Sequence, residues 1–358
     1  MVAVASTGSG REEAHPVWSP PPGDARAVDN PLSVMTYNVE GLPWPVARGR
    51  GPMLERIGER LRAMRQAHRQ PHIVLLQEAF SAEAQALATA AGYAHVAMGP
   101  DAALRTPLHA DAADTAFLAD ARWSKGEDMG KQVGSGLMIL SDYPVTGVDR
   151  MAFPDFACAG YDCLANKGVL VAHLDVPGTG TVSVVDTHLN SRAASGVSTD
   201  RANRAYRRQI VLMAQFVGAV VPADRPLIIG GDMNLGRDPH RLAAFFDGFS
   251  RVGLRFVAPA WSGTHQALAE AAPVPGNRPT DLVRATEHAK DWVFARTAAG
   301  APMRVASADV PFGSEPDGEQ QLSDHMGYVI RYAGPASPAP LTVRLASNDA
   351  RAGRGRGF

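Results

Sequence analysis

The sequence predicts an α/β protein built from packed β-sheets with helices laid against them. Three observations carry that prediction. Short apolar runs of strand composition alternate with segments whose apolar residues recur every three or four positions. Two strand-like runs, GVLVAHLDV and TVSVVDTHL, are joined by the Gly-rich turn PGTG, the mark of an antiparallel hairpin. Hairpins mixed with helices fit packed sheets rather than one doubly wound parallel sheet. At 358 residues, 45% hydrophobic and 20% charged, the chain can bury a sizeable core and has a soluble composition.

Residues 1 to 30 are rich in Pro, Gly, Ser and charge and read as a disordered lead-in; 334–358 reads as a loose tail. One catalytic domain is expected between them, over 31–333. Its first strand is LSVMTYNV (32–39), with Val34, Thr36 and Asn38 on one side and Met35, Tyr37 and Val39 on the other. A helix follows, with Leu54, Ile57, Leu61 and Met64 at helical spacing and Pro71 beyond its end. HIVLLQEAF is a buried strand ending on Gln77 and Glu78. SAEAQALATAAG is a short helix with Ser81 as N-cap and Gly92 after its end. Residues 99–134 show no clear period and read as loops to which the sequence assigns no role, though loops of that length often shape a substrate entrance. SGLMILSDYP, GVLVAHLDV and TVSVVDTHL are strands. The strongest helix, DRANRAYRRQIVLMAQFVGAVV, buries Ile210, Met213, Val217 and Val220, and its arginines 201, 204, 207 and 208 are expected on a solvated outer face. PLIIGGD is a strand, a mixed region follows, and DWVFAR and HMGYVIRY close the fold.

Several strands end or begin on polar groups that a buried strand does not need. Asn38 follows VMTY, Glu78 follows IVLLQ, His188 follows VSVVDT, Asp232 and Asn234 follow LIIGG, and Asp324 with His325 precede MGYVI. Alone, each has an ordinary reading: Asn38 as a turn cap, Glu78 as the start of a helix, His188 as a core histidine. Together they form a chemical kit. Glu78, Asp232 and Asp324 are hard oxygen ligands suited to Mg²⁺, Mn²⁺ or Ca²⁺. His188 and His325 can donate to phosphate oxygens or move protons near neutral pH, and Asn38 and Asn234 add neutral donors for developing negative charge. No serine, cysteine or lysine nucleophile stands beside an obvious base. The kit fits metal-assisted attack of water on a phosphate ester. The glycines before Asp232 read as room for the substrate to approach.

TYNVEGL, LLQEAF, SGLMILSDYP, DTHLNS, GGDMNL, DWVFA and LSDHM occur in one order across most of residues 33 to 332. In that order and wording the chain resembles the DNase I-like endonuclease/exonuclease/phosphatase superfamily. The resemblance implies a four-layer α/β/β/α sandwich of two mixed β-sheets, with the site where the sheets' loops meet. It also implies roles. Glu78 is the principal metal ligand, Asn38 contacts metal or phosphate, and Asp324 sits near the metal. Asp232 positions or activates the water, Asn234 stabilises the pentacovalent state, and His188 holds the phosphate. His325 acts as general base or phosphate donor and is oriented by Asp291, although Lys290 and Trp292 replace the usual neighbours there.

Within the superfamily, CAGYDCLANKGVLVAHL running on to VVDTHLNS is similar to bacterial neutral sphingomyelinases, and Asp162 and Lys167 keep the spacing of an Asp/Lys pair in the animal enzymes. This resemblance implies a phosphodiesterase that splits sphingomyelin into ceramide and phosphocholine at a membrane surface. Lys167 then meets the lipid phosphate as a point charge, with Asn166 and Asn190 as further substrate contacts. The NSR after THL departs from the Gln or His followed by Ala usual there. Trp44 in GLPWP and Trp261 in APAWSG are candidates for aromatic membrane contacts, against a core role for each.

The alternatives are a nuclease acting on DNA or RNA and a phosphoinositide or small-molecule phosphatase. A net charge of −1 gives no overall basic field for nucleic acid, and the longer signature of inositol phosphatases near APAWSG is missing. Cys158 and Cys163 close a small disulfide loop in an oxidising compartment or stay thiols in a reducing one. No run is apolar and long enough to span a bilayer. The start lacks the apolar core of a signal peptide, which leaves secreted, periplasmic and cytoplasmic locations open, and the oligomeric state is not encoded in any motif.

Overall fold

A computed structural model describes residues 32–43, 46–256, 290–315 and 319–333, with isolated positions between 281 and 287. The expected lead-in and tail, Trp44 and Trp261 lie outside the described residues. In chain order the strands are β1 Ser33–Asn38, β2 Ile73–Gln77, β3 His95–Met98, β4 Met138–Ser141, β5 Val145–Ala152, β6 Gly168–Val176, β7 Gly180–His188, β8 Leu227–Asp232, β9 Asp291–Arg296, β10 Val305–Phe312 and β11 Gly327–Tyr332. The helices are α1 Arg50–Gln66, α2 Ala82–Gln85, α3 Leu87–Ala91, α4 Ala112–Ala119, α5 Thr199–Val220 and α6 Pro239–Arg251.

One sheet has the order β10-β11-β1-β2-β4-β3 and the other β5-β6-β7-β8-β9. Both are mixed: β1 runs parallel to β2 and β7 parallel to β8, and the remaining pairs are antiparallel. The sheets stack face to face. Val34, Leu75, Ile139, Ala172, Val184, Ile228 and Ile330 fill the space between them. Met35, Tyr37, Val74 and Leu76 point the other way and pack under α1, where Leu54, Ile57, Leu61 and Met64 are buried. Both faces of β1 and β2 are therefore covered, which is why these strands read as near-continuous apolar runs. On the far side, Val171, Val185 and Ile229 meet Ile210, Met213 and Val217 of α5 and Phe245 and Phe249 of α6. At about 1.5–3 kcal/mol per fully buried large apolar side chain, these helix stripes hold the outer layers on. The result is a four-layer α/β/β/α sandwich.

The 99–134 segment contains more order than expected. Helix α4 lies within it, started by a reciprocal capping box between Asp111 and Asp114. The arginine face of α5 is correspondingly not a free solvated surface. Arg201 pairs with Glu127 at 2.6 Å, Arg208 with Asp114 at 2.5 Å, and Arg204 donates to the Ala113 carbonyl. Arg207 is the one of the four that stays exposed without such a tie on the α4 segment. Within the described residues, the start of the mixed region after PLIIGGD holds helix α6. Asp238 caps α6 by accepting from the His240 and Arg241 N–H groups, and Pro239 takes the first turn. Cys158 and Cys163 are joined in a disulfide. Among the described residues, no helix is long and apolar enough to cross a membrane.

Candidate active site

The polar strand ends converge because of strand register. His188 is opposite Asp232 across the β7–β8 pair, and Asp232 is opposite Asp291 across β8–β9. Directly paired residues project to the same face of a sheet, so three chemical groups stand in one row. In the other sheet, β1 and β2 pair Asn38 with Gln77, which places Glu78 one residue beyond the pairing.

Asn38 joins the two rows. Its Nδ2 donates to Glu78 Oε1 at 3.0 Å and to Asp232 Oδ2 at 3.2 Å, while its Oδ1 accepts from the Glu40 N–H. Glu78 and Asn234 hold left-handed backbone, with φ of 58° and 46°. For residues other than glycine that conformation is uncommon and clusters at functional sites. The Asn234 N–H donates to Asp232 Oδ1 at 3.1 Å, and its Nδ2 donates to the Leu189 carbonyl at 2.9 Å. That amide therefore ties the β7 and β8 loops together.

Two histidines flank Asp232. His188 Nε2 lies 3.4 Å and His325 Nε2 3.6 Å from its Oδ2, and His325 Nδ1 is 2.8 Å from Asp291 Oδ2. Their protonation states are opposite. Burial, reinforced by the nearby Lys167 cation, pushes His188 down to about 4. Burial also pulls His325 down, but the Asp291 and Asp232 carboxylates outweigh it and raise the ring to about 10. Asp232 drops to about 2, because His325, His188 and Lys167 together overcome its burial. Burial raises Asp291, with His325 pulling it back. Burial raises Glu78 as well, opposed by the Asn38 bond and Lys167 and reinforced by Asp232. At neutral pH the arrangement is a neutral His188, an ionised Asp232 and a charged His325.

Lys167 sits beside this cluster. Its Nζ donates to Asp162 Oδ1 at 2.5 Å and to the Leu189 carbonyl at 3.4 Å. Asp162 in turn accepts from the Ser191 N–H, and against the cost of its burial the Lys167 charge holds it below the usual carboxylate range.

Four sequence expectations change. Asn166 is fully buried and spends its amide on the Asp101 and Leu104 carbonyls, so it braces the 99–134 segment. Asn190 is also fully buried; it accepts from the Ala159 N–H and donates to the Ser191 carbonyl. Both amides are committed to loop backbone. Asp324 is exposed, and its N–H donates to Glu40, so it stands outside the Glu78–Asn38–Asp232 set. The glycines of GGD serve sheet packing, not substrate approach. A Cβ on Gly230 would lie 2.4 Å from the Leu75 side chain, and one on Gly231, at φ 132°, would lie 2.0 Å from the Thr187 carbonyl.

Two residues that build the site carried no sequence signal. Ser323 Oγ donates to the Asn38 carbonyl at 2.7 Å and accepts from the His325 N–H, hooking the LSDHM loop onto the end of β1. Arg50 donates to the carbonyls of Val39, Glu40 and Leu322 and clamps the same two loops. Only the position of Ser323 inside LSDHM pointed to it.

Which groups could hold a divalent cation follows from what is already paired. Among the described residues, Asp232, Asp291 and His325 bring ligand atoms within 4.8 Å of one another. His325 Nδ1 and Asp291 Oδ2, 2.8 Å apart, read as an acid–base pair, with Asp291 Oδ1 buried and unpaired beside it. Glu78 and Asp232 are two hard oxygen donors that share one amide donor and repel each other. That pair, with Glu78 half-buried, fits a divalent cation by chemistry and by charge. A cavity of about 750 Å³, lined by Phe117, Arg122, Lys125, Arg201 and Arg204, includes none of these groups.

Comparison with known proteins agrees with this fold. The chain is 24% identical over 311 residues to a sphingomyelinase of Mycobacterium tuberculosis; the match takes in 85% of this chain and spans about half, 53%, of that protein. Among solved structures, a mutant of beta toxin from Staphylococcus aureus with bound magnesium ions superposes with a TM-score of 0.58 at 16% identity, covering 84% of this chain and 99% of that one. Sphingomyelinase C from Streptomyces griseocarneus gives a TM-score of 0.53 at 22% identity, covering 84% and 98%. The model of the Endonuclease/Exonuclease/phosphatase family matches residues 35–325, a span that holds every residue of the cluster, and the chain belongs to that family.

Proposed function

We propose that the protein is a divalent-metal-dependent phosphodiesterase that hydrolyses a phospholipid headgroup ester, with sphingomyelin as substrate and ceramide and phosphocholine as products. The observation that carries the chemistry is Asp232 flanked by His188 and His325 and bound through Asn38 to Glu78.

The residue roles follow from those contacts. Glu78 and Asp232 hold the cation, with Mg²⁺ as first choice, and Asn38 stations them. When bound, the cation supplies charge neutralisation on the phosphate and a nearby water of lowered pKa. The ionised Asp232 accepts a hydrogen bond from the attacking water and orients it. His325, charged and fixed by Asp291, donates from Nε2 to a phosphoryl oxygen or to the leaving oxygen. Of the two roles expected for it, the pairing of Nδ1 with Asp291 Oδ2 at 2.8 Å favours the donor. His188, kept neutral, offers a single N–H next to Asp232. Lys167 adds fixed positive charge beside the phosphate.

Support for the lipid is of a different kind. It rests on the Lys167–Asp162 pair inside the NKG segment and on the similarity to proteins named as sphingomyelinases. The test is a side-by-side assay with Mg²⁺ on sphingomyelin vesicles, phosphatidylinositol phosphate vesicles and plasmid DNA. Phosphocholine release from sphingomyelin, abolished by EDTA and restored by Mg²⁺, is the expected result. DNA nicking without lipid hydrolysis overturns the substrate, and hydrolysis that survives thorough chelation overturns the metal.

A further inference from the structure

Directly beneath the site, between two apolar sheet faces, lies a polar group that catalysis does not use. Asp186 of β7 is fully buried, as is Gln77 of β2 on the opposite sheet. Gln77 Nε2 donates to Asp186 Oδ1 at 2.7 Å and also reaches Thr36 Oγ1 of β1 at 3.4 Å. Gly231 of β8 closes over the pair: a Cβ there would sit 3.0 Å from Asp186 Oδ1. Four strands therefore meet in one buried contact, and each contributes a residue one or two positions before a residue of the site. Thr36 precedes Asn38, Gln77 precedes Glu78, Asp186 precedes His188, and Gly231 precedes Asp232.

Two atoms of this group lack a partner, Asp186 Oδ2 and Gln77 Oε1. Leaving a buried oxygen unpaired is costly. One proton on Asp186 removes both, because a carboxylic acid O–H can donate to the amide oxygen while the amide N–H donates to the acid's carbonyl. The site favours that neutral form. Burial raises Asp186 well above the carboxylate range, and no cation opposes it; the Gln77 bond and the Thr187 and Met138 N–H groups are the opposing influences.

We propose that the Asp186–Gln77 pair is a positioning brace, an acid–amide couple that fixes the separation of the two sheets and thereby places His188 and Asp232 against Asn38 and Glu78. It acts through those residues and touches neither substrate nor cation. The inference rests on the assignment of these four residues to one site, and a satisfied core polar pair with no bearing on the site is the reading it must beat.

The test uses the full chain labelled with ¹⁵N-histidine, metal-free, with the His188 and His325 ring signals assigned by His188→Gln and His325→Gln. Asp186→Asn keeps the shape and can donate to Gln77, so it should leave both ring spectra and the thermal midpoint as in wild type. Asp186→Leu strands the Gln77 amide and should lower the midpoint. The double variant Asp186→Leu/Gln77→Leu removes the stranded amide together with the carboxyl and should recover most of the midpoint. Under the proposal it still shifts both histidine ring signals, and it binds Mn²⁺, followed by electron paramagnetic resonance, at least 10-fold more weakly than wild type. Wild-type histidine spectra in the double variant overturn the brace, as does an Asp186→Asn protein that behaves like Asp186→Leu. A wild-type chain that binds no Mn²⁺ refutes the metal-dependent mechanism, while the histidine spectra still decide the brace.

Discussion

Replacing Asp291 by Asn tests the acid–base assignment most directly. The substitution keeps the size of the side chain and a polar atom facing His325 Nδ1 but removes the charge now 2.8 Å away. With the two charge centres about 4 Å apart and an effective dielectric of about 20, that charge is worth about 4 kcal/mol to the imidazolium, or about three pH units. In the wild-type protein the balance of burial against the two carboxylates holds His325 at about 10, so it stays a donor through neutral and mildly alkaline pH. The sign follows. A group whose proton is bound more tightly in the fold loses it only as pH rises through that higher value, so wild-type turnover should hold until strongly alkaline pH. In the Asn variant burial acts against Asp232 and Asp324 without Asp291, and the alkaline limb of kcat should move down by about three pH units. With the limb at about 7, only about one molecule in ten keeps the His325 proton near pH 8, so the variant should lose about 10-fold in kcat there and recover at lower pH. The assay is a kcat profile from pH 5.5 to about 10 on a soluble phosphodiester, so that lipid packing does not enter. An alkaline limb unchanged in the variant refutes His325 as a charged donor held by Asp291.

Asp232→Ala removes the carboxylate on which Asn38, His188 and His325 converge; turnover should fall by at least about 10²-fold with an unchanged circular dichroism spectrum, and near-normal rates would discard its role with the water. Lys167→Met removes a charge-assisted partner worth about 1.5–3 kcal/mol, so kcat/KM on sphingomyelin vesicles should drop by about 10- to 150-fold. His188 should simultaneously titrate at higher pH, since Lys167 is one of the causes holding it down; histidine NMR reads this, and a static His188 would place Lys167 outside the cluster's field. Phe245→Ala opens the α6–sheet interface, where the ring stacks on Phe294 at 4.8 Å. Urea unfolding should show a loss of about 3–5 kcal/mol, and a loss under 1 kcal/mol would show that α6 contributes little to holding the outer layer.

What was legible in the sequence, and what was not, divides along burial. β1, β2, β6, β7 and β8 lie inside their sheets with both faces covered, so their apolar runs stand out, and so do Asn38, Glu78, His188 and Asp232 at their ends. The strands that went unread, β3, β5 and β10, are all at sheet edges. Their burial alternates or breaks, which leaves no run to detect. Helices α4 and α6 are short, but their cap residues were present: Asp111 with Asp114, and Asp238 before Pro239. Capping residues are common in loops too, so the signal gains meaning only from the packing that follows it. Ser323 and Arg50 were invisible for a plainer reason. Their work is done on backbone carbonyls, which carry no sequence identity.

The same distinction separates the asparagines from the charges. Asn166 and Asn190 carry the right side chains for phosphate contact, yet each is fully buried and bonded to loop backbone. Asn166 spends both amide N–H groups on carbonyls, and Asn190 is held inside the loop by the Ala159 N–H and the Ser191 carbonyl, so neither is turned to a substrate. A charge differs, because its field acts on neighbours it does not touch. Lys167 is also buried and bonded, to Asp162, yet its field still reaches Glu78, His188 and Asp232. The division between a neutral and a charged histidine follows from which charges stand near each ring. Asp291 can hold His325 charged because β9 pairs with β8 in the register that sets it beside Asp232. His188 lies across the opposite pair, β7 with β8, where its near neighbours include the Lys167 cation. One residue of slip in either ladder would turn the row over and abolish the difference. Strand register is thus the element of the fold on which the proposed chemistry depends most.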